Sequence, residues 1–405
     1  MTVAEYIQNT RKTIGKPHEY MIQHYNRMYT IIKKYCSTNL SDIELDIVYS
    51  TNKTAELFYT QTGEKHLIYD QYLGQVFNML NRLHFNSQEP EAAEYYCFKL
   101  LAEEFQIAGD PERAIICATV YASKIIDFQS YTQDKNIVER LKYTLAQETF
   151  ILVHELSHYL LKKNVVPNIH KTFKEAIISL IEERFSDISD IDFIDSYLSD
   201  RHIALYGTKD SYKDFLDENK IFELKEEFIK SHFENTKEII ELVQSSDNLV
   251  EEIICDDLAA KLILSFTEKE FGLSIEKTLD ALYIGMMNLR ILGIVSKQVD
   301  DFENCKTELQ DFFTASMVRL LYFRNNASYL YGLHLNDLNK GREIQIKLTE
   351  SNLRYSSYIS DRVLFTINDK LQLINLKTPR IEEDIDFDKF IQQNELIDEI
   401  LNHKN

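Results

Sequence analysis

The sequence predicts an α+β protein that is predominantly helical, on three observations. Gly and Pro are scarce, ten and five in 405 residues, which favours long helices and short connections. Apolar residues recur at helical spacing over most of the chain. One stretch, about 43–69, instead shows the two-residue alternation of half-buried strands. Length allows two or three domains. The pattern divides the chain into 1–130 (N-terminal helices and the small sheet), 131–330 (a helical core with an insertion at about 187–230) and 331–405 (a β-hairpin and a helix).

Residues 17–38 predict a helix, with Tyr20, Met21, Tyr25, Met28, Tyr29 and Ile32 forming an apolar stripe. Ile43, Leu45 and Ile47 then alternate with Glu44, Asp46 and Val48, and Ala55–Thr60 and Lys65–Tyr69 are two further strand-like runs about Thr62-Gly63. Together they predict a small antiparallel meander. Asp70 is placed to cap the helix that carries Tyr72, Leu73, Val76, Phe77 and Leu80. Pro90 and Asp110-Pro111 mark further helix starts. Residues 171–186, 232–270 and 274–296 again have helical patterning, whereas 187–230 is polar with weak periodicity and is expected to be a surface insertion. Beyond a boundary expected in Tyr322–Lys340, Glu343–Leu348, Val363–Asn368 and Leu371–Leu376 alternate as strands would, with Asp369-Lys370 at a turn and a final amphipathic helix at about 386–402.

The most informative residues are His154-Glu155-Leu156-Ser157-His158. Ala146 through Lys163 holds no Gly and no Pro, so the run lies on one helix, and positions four apart share a face. Two imidazoles so placed can bind one Zn²⁺, and the Glu between them can take a proton from a water activated there. The flanks, Phe150-Ile151-Leu152-Val153 and Tyr159-Leu160-Leu161, mark the helix as buried. Two His and a Glu inside a buried helix are costly unless something satisfies them, and a metal would satisfy all three.

A catalytic zinc needs a third protein ligand. Glu252 and Asp256 are four apart on the helix predicted for Glu251–Ala260; Glu252 can bind the metal, and Asp256 can accept the outer N–H of a ligand histidine. The small residues Cys255, Ala259 and Ala260 would let this helix approach the first closely. Glu183, with Asp187 at the same spacing, is the alternative third ligand. It is the weaker one, because its helix runs into a polar, acidic stretch.

These residues resemble the gluzincin metallopeptidases, in which H-E-x-x-H is followed by a distal E-x-x-x-D helix. The likeness is to the prenyl-protein and heat-shock membrane peptidases and to phage-regulatory peptidases of the ImmA/IrrE type, over about 40–270 with gaps. In the first group a small residue precedes the Asp and an Ala follows, as Cys255 and Ala259 do here. The resemblance implies a zincin-like core with an active-site helix, His154, His158 and Glu252 as metal ligands, Glu155 as the catalytic glutamate and Asp256 behind a ligand. It implies a metallopeptidase of narrow specificity acting on a protein or peptide substrate. The 94-residue step from His158 to Glu252 is long for the family, the membrane spans of the first group are absent, and the C-terminal third matches neither group.

The net charge of −20 argues against a nucleic-acid-binding surface and against an anionic membrane as partner. Five widely spaced cysteines without a C-x-x-C, and an N-terminus without an apolar signal core, are expected of a cytoplasmic protein. No uninterrupted apolar run approaches a membrane span. His202, Arg324 and Tyr331 are candidates for stabilising an oxyanion. The alternative to an enzyme is a binding or sensing module built on the same core, against which the intact Glu155 weighs.

Overall fold

The computed structural model describes residues 1–36, 38, 40–86, 89–133, 136–163, 167–186, 236–300 and 306–377. The insertion expected at 187–230, with His202, and the final helix expected at 386–402 lie outside them. The fold is mostly helical with one three-stranded sheet. In chain order come α1 (Val3–Thr10), α2 (Glu19–Tyr35), β1 (Ile43–Val48), β2 (Ala55–Tyr59), β3 (Lys65–Asp70), α3 (Gln71–Phe85), α4 (Glu91–Ala108), α5 (Pro111–Lys124), α6 (Gln129–Thr132), α7 (Ile137–Lys163) and α8 (Ile169–Ser186). They are followed by α9 (Asp247–Leu264), α10 (Thr267–Phe271), α11 (Ile275–Asp300), α12 (Lys306–His334) and α13 (Leu338–Tyr355).

The three strands lie where the alternation puts them, but the sheet is mixed rather than an antiparallel meander. The strand order is β1-β3-β2: β2 pairs antiparallel with β3 through the turn at Gly63, and β1 pairs parallel with β3 on its other side. The reason lies in β3. Leu67, Ile68 and Tyr69 are all fully buried, and a strand apolar on both faces belongs in the middle of a covered sheet. The crossover from β1 to β2 is pinned to the end of β3 by Asp70, whose carboxylate accepts the backbone N–H of Ser50 and of Lys53, both at 3.1 Å, and the Ser50 hydroxyl. The same side chain accepts Tyr72 N–H at 3.0 Å, capping α3 as its position in the sequence predicted.

At the C-terminal end the expected β-hairpin is helix instead. Glu343–Leu348 lies in α13, and 361–377 continues as helix through Asp361–Phe365, a wider-wound π-type turn at Thr366–Leu371, and Gln372–Lys377. The alternation of Ile344, Ile346 and Leu348 is real in the sequence, but Ile344 and Leu348 are buried while Ile346 is 60 % exposed. The buried positions are therefore four apart, a helical period. Val363, Ile367, Leu371 and Ile374 repeat it, all inside the core. This segment is fastened to α4 by Glu94, which receives Lys370 Nζ at 3.0 Å and Arg362 Nη1 at 3.2 Å.

One large core joins α2, β3, α3, α4, α7, α11 and the C-terminal helices. At its centre is α11. By length and composition its Ile275–Val299 stretch is long and apolar enough to cross a membrane, and 72 % of that stretch is buried within the protein. The helix is therefore accounted for as core: it packs on α7, α4, α12 and α13. Helix α3 lies so close on α7 that a Cβ at Gly74 would stand 1.7 Å from Glu148 Oε1. A larger residue there would force the Glu148 carboxyl to move.

His84, near the end of α3, is 4 % exposed and packs on Tyr355, and its Nδ1 has no hydrogen-bond partner. Burial, with a smaller contribution from the Arg354 charge, lowers its pKa to about 4. The unfolded chain takes up a proton as pH falls through about 6.5, whereas the folded one does not until about 4. Stability is therefore lost as pH falls across that window, by about 2 kcal/mol between pH 7 and pH 5 from this group. Urea unfolding at the two pH values should show His84→Phe losing less over this step than the wild type. An equal loss would remove His84 as a cause.

Candidate metal centre

Helix α7 brings His154 and His158 one turn apart on one face, with ring centroids 5.2 Å from each other. It has no Gly or Pro to interrupt it, and it closes with Lys162 and Lys163 in the last turn, where the helix dipole favours cations. Helix α9 is capped by the Ser246 side chain, which accepts Leu249 N–H at 3.2 Å. It packs on α7 through small residues, with Cys255, Ala259 and Ala260 all fully buried. This close approach carries Glu252 to the two imidazoles. Glu252 Oε2 lies 3.2 Å from His154 Nε2, and Oε1 lies 3.4 Å from His158 Nε2. One ligand atom from each of His154, His158 and Glu252 lies within 4.8 Å of the others, so the three could hold a metal ion.

Both outer imidazole nitrogens face carboxylates. His158 Nδ1 is 2.8 Å from Glu251 Oε1. His154 Nδ1 is 2.9 Å from Asp256 Oδ1, a charge-pair distance, but it has no aligned hydrogen bond. On the other side of Asp256 stands Arg319 of α12, with Nε at 2.8 Å from Oδ2 and Nη2 at 2.9 Å from Oδ1. Its Nη1 is 3.0 Å from Glu252 Oε2. Thus the site draws on α7, α9 and α12.

The electrostatics follow from crowding. Burial opposes the charge on His154, but the carboxylates of Asp256 and Glu252 outweigh it and raise the imidazole to about 10. His158 is raised chiefly by Glu252. Burial would raise Glu252, yet the two imidazoles and Arg319 hold it well below the usual carboxylate range. Asp256 is lowered in the same way, burial being outweighed by Arg319 and His154. Glu155 goes up: burial raises it, His154 and His158 pull it down, and the charges of Glu252 and of Glu56 on β2 push it up further. A divalent ion would compete with protons for the two imidazole nitrogens. The donor set, two nitrogens and a carboxylate oxygen, suits such an ion.

The sequence-derived ligands His154, His158 and Glu252 thus converge, with Asp256 beside His154. The alternative, Glu183, is an exposed residue of α8 and stands apart from the cluster. Two of the oxyanion candidates lie elsewhere: Arg324 Nη1 donates to Thr349 at 3.4 Å, and Tyr331 OH donates to Glu276 at 3.4 Å. Sequence reasoning missed Arg319, which no local pattern marks. It also missed Glu251, whose neighbour Glu252 drew the attention. Compared with known family models, curated proteins and solved structures, the chain matches none.

A site formed only in the folded chain links metal binding to stability. At a hundredfold excess of free zinc over Kd, folding should gain about 2.7 kcal/mol. For a chain of 405 residues that corresponds to a rise in Tm of about 3 °C. Replacing His154 or Glu252 by Ala should abolish the rise. An identical rise in both variants would place the metal elsewhere.

Proposed function

We propose that the protein is a zinc-dependent metallopeptidase of the gluzincin type, acting on a protein or peptide substrate. The observation that carries this reading is the convergence of His154, His158 and Glu252 within 4.8 Å, with Glu155 between the two histidines on the same helix. Bound there, zinc would supply a Lewis acid that activates a water and polarises the scissile carbonyl. The other tasks fall to the chain itself.

Glu155 is the general base. Its half-buried side chain is one residue from His154, and partial burial raises its pKa toward the range where a carboxylate can both take and return a proton. It would accept the water proton and deliver it to the leaving amine. Glu251 bonds the outer nitrogen of His158, and Asp256 lies at charge-pair distance from that of His154, so both Nε2 atoms are left facing Glu252, where they could hold a metal. Strand β2 is the outer strand of the sheet and packs on α7. Its outer edge has no strand partner among the described residues, so an extended substrate could pair with it by main-chain hydrogen bonds.

Glu155→Gln separates binding from chemistry. The variant should keep its zinc and lose about 10²–10⁴-fold in cleavage. The assay is the loss of a full-length protein from the proteome of cells that express the wild type, compared with cells that express the variant. Cleavage at the wild-type rate by Glu155→Gln would refute the proposed base.

A further inference from the structure

Arg319 does more than neutralise a buried acid. Its fork grips both oxygens of Asp256, at 2.8 and 2.9 Å, and its third nitrogen reaches Oε2 of Glu252 at 3.0 Å. The two oxygens of Glu252 are therefore unequal. Each oxygen faces one imidazole, Oε2 His154 Nε2 at 3.2 Å and Oε1 His158 Nε2 at 3.4 Å, but only Oε2 is also engaged by a guanidinium that Asp256 holds in place. We propose that Arg319 is a positioning residue of the metal centre, which reserves Oε2 of Glu252 so that this side chain offers the metal a single oxygen.

The consequence concerns coordination number. A carboxylate can bind a cation through one oxygen or through two. Three single donors, two imidazoles and one oxygen, leave the fourth place of a tetrahedral zinc open for water. A Glu252 free to bind through both oxygens would fill or crowd that place. Arg319 suits this task better than lysine, because only a planar fork can hold two oxygens of Asp256 and still present a third donor. The same geometry makes α12 part of the centre, although it contributes no ligand.

This inference rests on the metal reading, and the test separates the two. Cobalt(II) is bound in place of zinc, its visible absorption is recorded per cobalt bound, and zinc affinity is measured by competition with a chelator. Wild type should show the intense bands of four-coordinate cobalt. Arg319→Met should show the weaker bands of a higher coordination number, with zinc affinity reduced about 10–100-fold. Arg319→Lys keeps the charge, but one ammonium cannot span Asp256 and Glu252 together, so it should show bands weaker than the wild type and zinc bound several-fold more weakly. This second variant keeps the test decisive if Arg319→Met does not fold. No stoichiometric cobalt in the wild type overturns the metal reading and this inference with it. Bound cobalt with wild-type spectra and wild-type zinc affinity in the folded variants overturns this inference alone.

Discussion

The crossing of α7 on α9 gathers two imidazoles and three carboxylates into one cluster whose inner members, His154 and Asp256, are buried, and much of the surrounding structure answers that constraint. Charges so placed persist only when each is paired and hydrogen-bonded. Asp256 is paired on both sides, by Arg319 and by His154. Removing any one partner strands another, so the cluster stands or falls as a unit. Glu251 touches only His158 in this cluster and is its least constrained member.

That unit has to be held from outside. Helix α11 supplies the apolar floor, and Gly285 lets it approach Gln147 of α7, whose side-chain amide donates to Ala281 O at 3.0 Å. Helix α12 brings Arg319 from one side and, two turns further on, Asn326 to the carboxylate of Asp257. Asp256 and Asp257 are consecutive residues of α9 and both bind α12, so the rotation of α9 about its axis is fixed by two contacts. This orientation is what points Glu252 at the histidines.

Much of this arrangement was legible in the sequence wherever a local period carried it. The i, i+4 spacing of His154 and His158, and of Glu252 and Asp256, is a property of one helix each, and the small residues at 255, 259 and 260 announced the close packing. Arg319 was not legible, because its contact with Asp256 spans 63 residues and no motif prefigures it. The C-terminal strands failed for a related reason. In a run of six residues, Ile344, Ile346 and Leu348 fit alternation, and only the position of the core reveals that Ile346 faces outward. Period alone is ambiguous when the stretch is short.

The sheet shows how strand order, invisible to alternation, bears on function. In a simple meander β2 would sit in the middle with both edges paired. The crossover held by Asp70 instead carries β1 past β2 to the far side of β3. Among the described residues this leaves one edge of β2, the strand that packs on the helix of Glu155, without a strand partner. An open edge is ordinarily a liability, since its unpaired amides and carbonyls invite any passing chain. Here the N-terminal segment lies against the strand. β2 is five residues long, and its Glu56 is occupied by Tyr6 and Arg11 of the N-terminal segment, while Tyr6 stacks on Phe58 with ring centroids 4.2 Å apart. Helix α1 and Arg11 therefore hold the face of β2 that carries Glu56 and Phe58, while among the described residues no strand pairs with its outer edge.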